Sequence, residues 1–128
     1  MKTPATALLL IVLGPITLTA LAGDWPQWRG PNRDGVSTEK GLLDKWPEGG
    51  PKLAWKAKGL GVGFSSVSVR DGMIYTMGDG KESSHVFCID AKDGKILWTS
   101  KGVGKTGGNY KGTRCTPTLD GDHLYALG

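Results

Sequence analysis

Two segments of this chain repeat one another: SVSVRDGMIYTMG at Ser66–Gly78 and TPTLDGDHLYALG at Thr116–Gly128. At a constant offset of 50 residues Ser66 stands over Thr116, Val69 over Leu119, Ile74 over Leu124, Tyr75 over Tyr125 and Gly78 over Gly128. Only the turn glycine slips by one place, Gly72 against Gly121. A weaker echo sets GPKLAW at Gly50–Trp55 against GKILW at Gly94–Trp98. Self-similarity at this period constrains the fold more than composition does. A unit of this size has two faces and too little mass to cover both, so it gains a core only by stacking on its neighbours.

Inside the first repeat, short alternating runs are separated by turn signals. Phe64–Val69, Met73–Met77, His85–Asp90 and Lys95–Thr99 read as strands, joined at Arg70-Asp71-Gly72, by a polar loop at Gly78–Ser84, and at Ala91–Gly94. Asp-Gly between apolar runs is a strong hairpin signal, so 65–99 is predicted to be a four-stranded antiparallel meander. Asp93-Gly94 then turns the third strand into the outermost one, and Trp98 caps that strand and packs between neighbouring sheets. Lys52–Lys56 is predicted as a stray outer strand, spanning 52–57, with Trp55 in the role of Trp98. A four-stranded unit recurring at about 40–50 residues is the pattern of a β-propeller blade. The expectation is therefore an all-β chain with one blade at about 64–99, the start of the next at about 114–128, and an incomplete ring. A closed ring of four to eight blades needs about 200–400 residues. This points to the N-terminal piece of a longer protein, the rival being a complete small domain built on one sheet.

Residues 1–22 read as a secretory leader: Lys2, an apolar run through Leu8–Leu13, and Ala20-Leu21-Ala22 before a cut between Ala22 and Gly23. The run is broken by Gly14-Pro15 and is short for a membrane span, so no span is expected after its removal. That places the chain in the periplasm or outside the cell. The remaining 106 residues carry 15 basic and 12 acidic side chains, scattered singly, which gives no nucleic-acid face. Residues 23–51 form an irregular arm rich in Trp, Pro and Gly, in which Trp25, Trp28 and Trp46 are expected to anchor loop to body. One helical turn at Ser37–Leu43 is compatible with its sequence.

DGMIYTMG, CIDAKDGKILW and TPTLDGDHLYALG resemble the blades of the pyrroloquinoline-quinone-like, or quinoprotein-type, β-propeller repeat family. Blades of that family tend to read Pro-x-Val-x-x-Gly-x-x-Tyr, a loop, then Ala-Leu-Asp-x-x-Thr-Gly-x-x-x-Trp. Here Cys88-Ile89-Asp90 stands for Ala-Leu-Asp, and Asp93-Gly94 for Thr-Gly. The arm is similar to the leader segment of exported members, so the likeness covers about 24–128. The resemblance makes Tyr75, Gly78, Asp90, Gly94, Trp98, Tyr125, Gly128 and Trp55 structural repeat positions. It leaves the activity open, because the family holds quinone-dependent alcohol and sugar dehydrogenases as well as BamB-type scaffolds of outer-membrane protein assembly, and fold alone does not choose between them. The dehydrogenases grip quinone under a disulfide of adjacent cysteines beside a carboxylate-bound Ca²⁺. Cys88 and Cys115 are not adjacent, so no cofactor position carries over. The resemblance thus implies an exported, non-catalytic binding or scaffold module with a protein partner. The alternative is the N-terminal part of a quinone-dependent dehydrogenase, with quinone and calcium only in a longer chain. A third reading is a small sugar- or peptide-binding sheet using Trp25, Trp28 and Trp46.

Other chemistry fails on spacing. KGVGKTGG at Lys101–Gly108 lacks the first glycine of a phosphate loop, and GLGVG at Gly59–Gly63 precedes strand-like residues. Asp120-Gly121-Asp122 reads as a hairpin turn rather than a calcium loop. His85 and His123 have no partner at ligand spacing, and Asp90 suits backbone N–H groups of the following turn. A Cys88–Cys115 disulfide is permitted by export and not required.

Overall fold

The computed structural model describes residues 23–107 and 110–128. The expected leader at 1–22 lies outside the described residues. The fold is all-β and antiparallel in its sheets, with no helix among the described residues. The helical turn considered at Ser37–Leu43 does not form.

The first sheet is built from β1 (Ser68–Arg70), β2 (Met73–Asp79), β3 (Ser83–Asp90) and β4 (Ile96–Thr99), paired in that order. This is the expected meander with altered bounds. Its first strand is shorter than Phe64–Val69, and its third begins earlier than His85. The outer edge continues as β5 (Gly104–Lys105), which pairs with Ser83-Ser84 of β3. No alternation in the sequence marks that stretch as a strand. A second sheet is the hairpin of β6 (Thr118–Asp120) and β7 (His123–Tyr125), the strands of the second repeat.

The segment 52–57, expected as a stray outer strand of a further blade, is in no ladder among the described residues. The segment from Trp55 to Leu60 meets the first sheet at Gly94 and Gly78.

Tyr75 through Gly78 in β2 and Val86 through Ile89 in β3 are buried consecutively. Strands covered on one face alternate, whereas strands covered on both faces do not. The register puts Tyr75, Cys88 and Trp98 on one face with Met77 and Val86, and puts Ile74 and Ile89 with Thr76 and Phe87 on the other. The first face meets the second repeat, where Leu119 joins Tyr75 and Cys88 in one core, flanked by Met73 and Leu124. On the second face the Leu60 carbonyl lies so close to Gly78 that a Cβ there would overlap it.

The arm ties the two sheets together. Trp25 and Val69 exchange backbone hydrogen bonds of 2.8 Å, and the Leu119 N–H donates to the Pro26 carbonyl at 2.8 Å. Arg70 donates to the Leu119 and Gly121 carbonyls at 3.0 and 2.7 Å. The free edge of β1 is thereby capped, which removes a site for unwanted strand pairing. Trp25 is half-buried and serves as the expected anchor, its ring against Gly30. Trp28 and Trp46 are exposed and anchor nothing, which corrects that part of the expectation.

Candidate binding surface at the loop end

The eight repeat positions divide into an inner set and an open set. Tyr75 is in the core between the sheets, and Gly78 lies under Leu60. Asp90 accepts the Lys92 N–H at 2.8 Å, the turn role its sequence suggested. Trp55 is half-buried, its indole N–H donating to the Ala91 carbonyl at 2.9 Å and its ring resting on Gly94. Gly94 has φ +76°, so the ring and the backbone both exclude a side chain there. The open set is Trp98, Tyr125 and Gly128. Trp98 is 44% exposed and tilted against Tyr75 at 6.0 Å, on the rim of a cleft shared with Leu124 and Ala126. Tyr125 is 56% exposed and stacks on His123 at 6.2 Å. Gly128 lies against Gly104.

Titratable groups in the core serve packing. Burial pushes the Cys88 thiol above its usual range, and burial also raises the Tyr75 hydroxyl, with Cys88 adding to the effect. Both cysteines are free thiols. His85 is held structurally, Nδ1 donating to the Ser100 carbonyl at 2.9 Å and Nε2 lying 3.3 Å from Ser83 Oγ. Asp120 and His123 face each other across the hairpin turn. Among the described residues no three His, Cys, Asp or Glu groups converge as a metal site. Cys88 and Cys115 are not adjacent, so they do not fit the paired-cysteine grip of a quinone.

A second constellation was missed in the sequence. Gly63 and Thr113 form a parallel bridge, and the Phe64 N–H donates to the Thr113 carbonyl at 2.7 Å. These residues are again 50 apart, so running the repeat three places further back would have paired Gly63 with Thr113 and Phe64 with Arg114. The entries to the two repeats therefore lie side by side. The Arg114 guanidinium stands 5.6 Å from the Phe64 ring centre and 5.6 Å from that of Tyr110. Beside it, Asp79 is held by the Ser84 hydroxyl at 2.7 Å and the Gly112 N–H at 3.0 Å. This end carries cations, exposed rings and clefts.

Compared with known proteins, the chain matches no family model, no curated protein and no solved structure.

Proposed function

We propose that the two repeats are successive blades of a quinoprotein-like β-propeller, and that the chain is an exported, non-catalytic binding or scaffold module for a protein partner. The observation that carries this reading is the sense of stacking. Leu119 and Leu124 of the second repeat pack on the Tyr75 face of the first. Their counterparts in the first repeat are Val69 and Ile74, which point to that sheet's other face. Each unit thus offers one face and receives on the opposite one, the arrangement that propagates blade after blade. Trp55 against Gly94 adds support, since the echo GPKLAW and GKILW makes Trp55 the counterpart of Trp98.

The second reading, part of a quinone-dependent dehydrogenase, is favoured only by the resemblance of the blades. The test is a titration of the folded chain with pyrroloquinoline quinone in the presence of Ca²⁺, read by tryptophan fluorescence with circular dichroism on the same sample. No saturable response is expected. Saturable binding by folded protein would replace the scaffold reading with the dehydrogenase one.

A further inference from the structure

We infer that the loop end around Arg114 is a docking surface for an acidic peptide segment with interspersed apolar residues. This names the partner chemistry of the binding-module reading and rests on that reading, but it does not require a closed ring. Arg114 lies within cation–π reach of two rings, both largely exposed: Phe64 at 71% and Tyr110 at 77%. Among the described residues its hydrogen bond runs to the Gly112 carbonyl at a long 3.4 Å. A cation held beside aromatic rings keeps its N–H groups available, and the planar edge of a guanidinium matches a carboxylate in bidentate fashion.

Two clefts adjoin this group and meet along Asp79 and Gly107. One, of about 220 Å³, is bordered by Lys105 and Arg114 with Leu127, and the other, of about 400 Å³, by Lys81 and Lys111 with Val62. Four cations thus stand against Asp79 and Glu82, and Asp79 is already engaged by Ser84 and Gly112. Carboxylates are the complementary charge. The exposed apolar groups decide the kind of partner. Val62, Phe64 and Leu127 are 57%, 71% and 77% exposed, and these apolar side chains suit a peptide's own apolar residues better than the hydroxyls of a sugar polymer.

The probe is a short labelled peptide of alternating glutamate and leucine, titrated into the chain by fluorescence anisotropy. Saturable binding is expected. Arg114→Gln should weaken it by about tenfold or more, the loss of a charge-assisted bidentate contact. Arg114→Lys should recover little, because an ammonium lacks the planar edge. Phe64→Ser should weaken binding without altering the charge, and the distant Lys92→Gln should leave it unchanged. Circular dichroism on each variant separates lost binding from lost folding. Unaltered affinity in folded Arg114→Gln overturns the proposal, as does equal binding of a lysine–leucine peptide. Binding of polygalacturonate in place of the peptide, sensitive to Arg114, also overturns it and makes the partner a sugar acid. The quinone titration reads the non-catalytic reading separately, so either can fail without the other.

Discussion

At the scale of single residues, Cys88 and Gly94 show how the core restricts chemistry. Cys88 is fully buried with its thiol held above the usual range by burial, while Cys115 is partly open. The thiolate is the reactive form, so an alkylating reagent at neutral pH should modify Cys115 in the folded chain and reach Cys88 only after denaturation. Mass spectrometry of the two cysteine peptides checks this. The linkage sign follows from the raised values. Where the folded state holds its proton more tightly, stability is full below the unfolded pKa and falls as pH rises through the folded one. Urea midpoints should therefore hold steady to about pH 8.5 and fall above it, first through Cys88 and then through Tyr75. A Cys88→Ala variant should lose the first part of that fall. Gly94 makes a different point. Alanine there must adopt φ +76° and displace the Trp55 ring, so Gly94→Ala should destabilise by at least the backbone cost of about 1–2 kcal/mol. Chemical denaturation measures it: a loss at that minimum would mean the ring yields freely, and a loss below it would mean the turn gives up the positive φ.

At the scale of elements, the repeat was legible because turn chemistry and alternation spoke together. The slipped glycine now has a physical reason. In the first hairpin Asp71 and Gly72 both have positive φ, the requirement of a type I′ turn, which puts glycine second. In the second hairpin Gly121 has positive φ and Asp122 does not, the pattern with glycine first. Two turn types on one fold move the glycine without moving the strands. What the sequence concealed was anything decided by contacts between distant segments. Lys52–Ala57 has the alternation of a strand, but pattern cannot reveal that its Trp55 packs on Gly94 and donates to the Ala91 carbonyl. β5 has the composition of a loop and is recruited by the open edge of β3 at Ser83-Ser84. Arg114 carries no signal in the pattern, because Phe64 lies 50 residues away in the chain and only the fold brings it beside Arg114 and Tyr110. The hairpin β6–β7 depends on its partner sheet in the same way. An isolated two-stranded hairpin is marginal in water, so its order derives from Leu119 and Leu124 against Tyr75 and Cys88. Leu119→Ala should cost about 2–4 kcal/mol. It should also strip hydrogen-exchange protection from 118–125 before the amides of β2 and β3, an order that a hairpin stable by itself would not show.

At the scale of the whole molecule, the stacking between repeats has a direction. Tyr75 points to the next sheet and is buried by it, whereas its counterpart Tyr125 points the same way and is 56% exposed. Thr118 shares that face by register, so the outer side of the second sheet repeats the character of the first sheet's covered side. The complementary surface also exists in this chain. Val69 and Ile74, the counterparts of Leu119 and Leu124, are half-buried on that face, while the segment from Trp55 to Leu60 meets the sheet at Gly94 and Gly78. A surface that offers one face and receives on the other makes head-to-tail contacts, which join copies whenever no further sheet of the same kind covers the open face. The chain should therefore self-associate with rising concentration in sedimentation velocity. Tyr125→Lys should return it to monomer with little change in the thermal unfolding of the single copy, since within one copy that largely exposed side chain gives up its stacking on His123 and no core contact. Tyr75→Ser should do the opposite, lowering stability through the lost core contact. Identical sedimentation of wild type and Tyr125→Lys would show that the outer face does not dock, and would remove directional stacking as the support for the propeller reading.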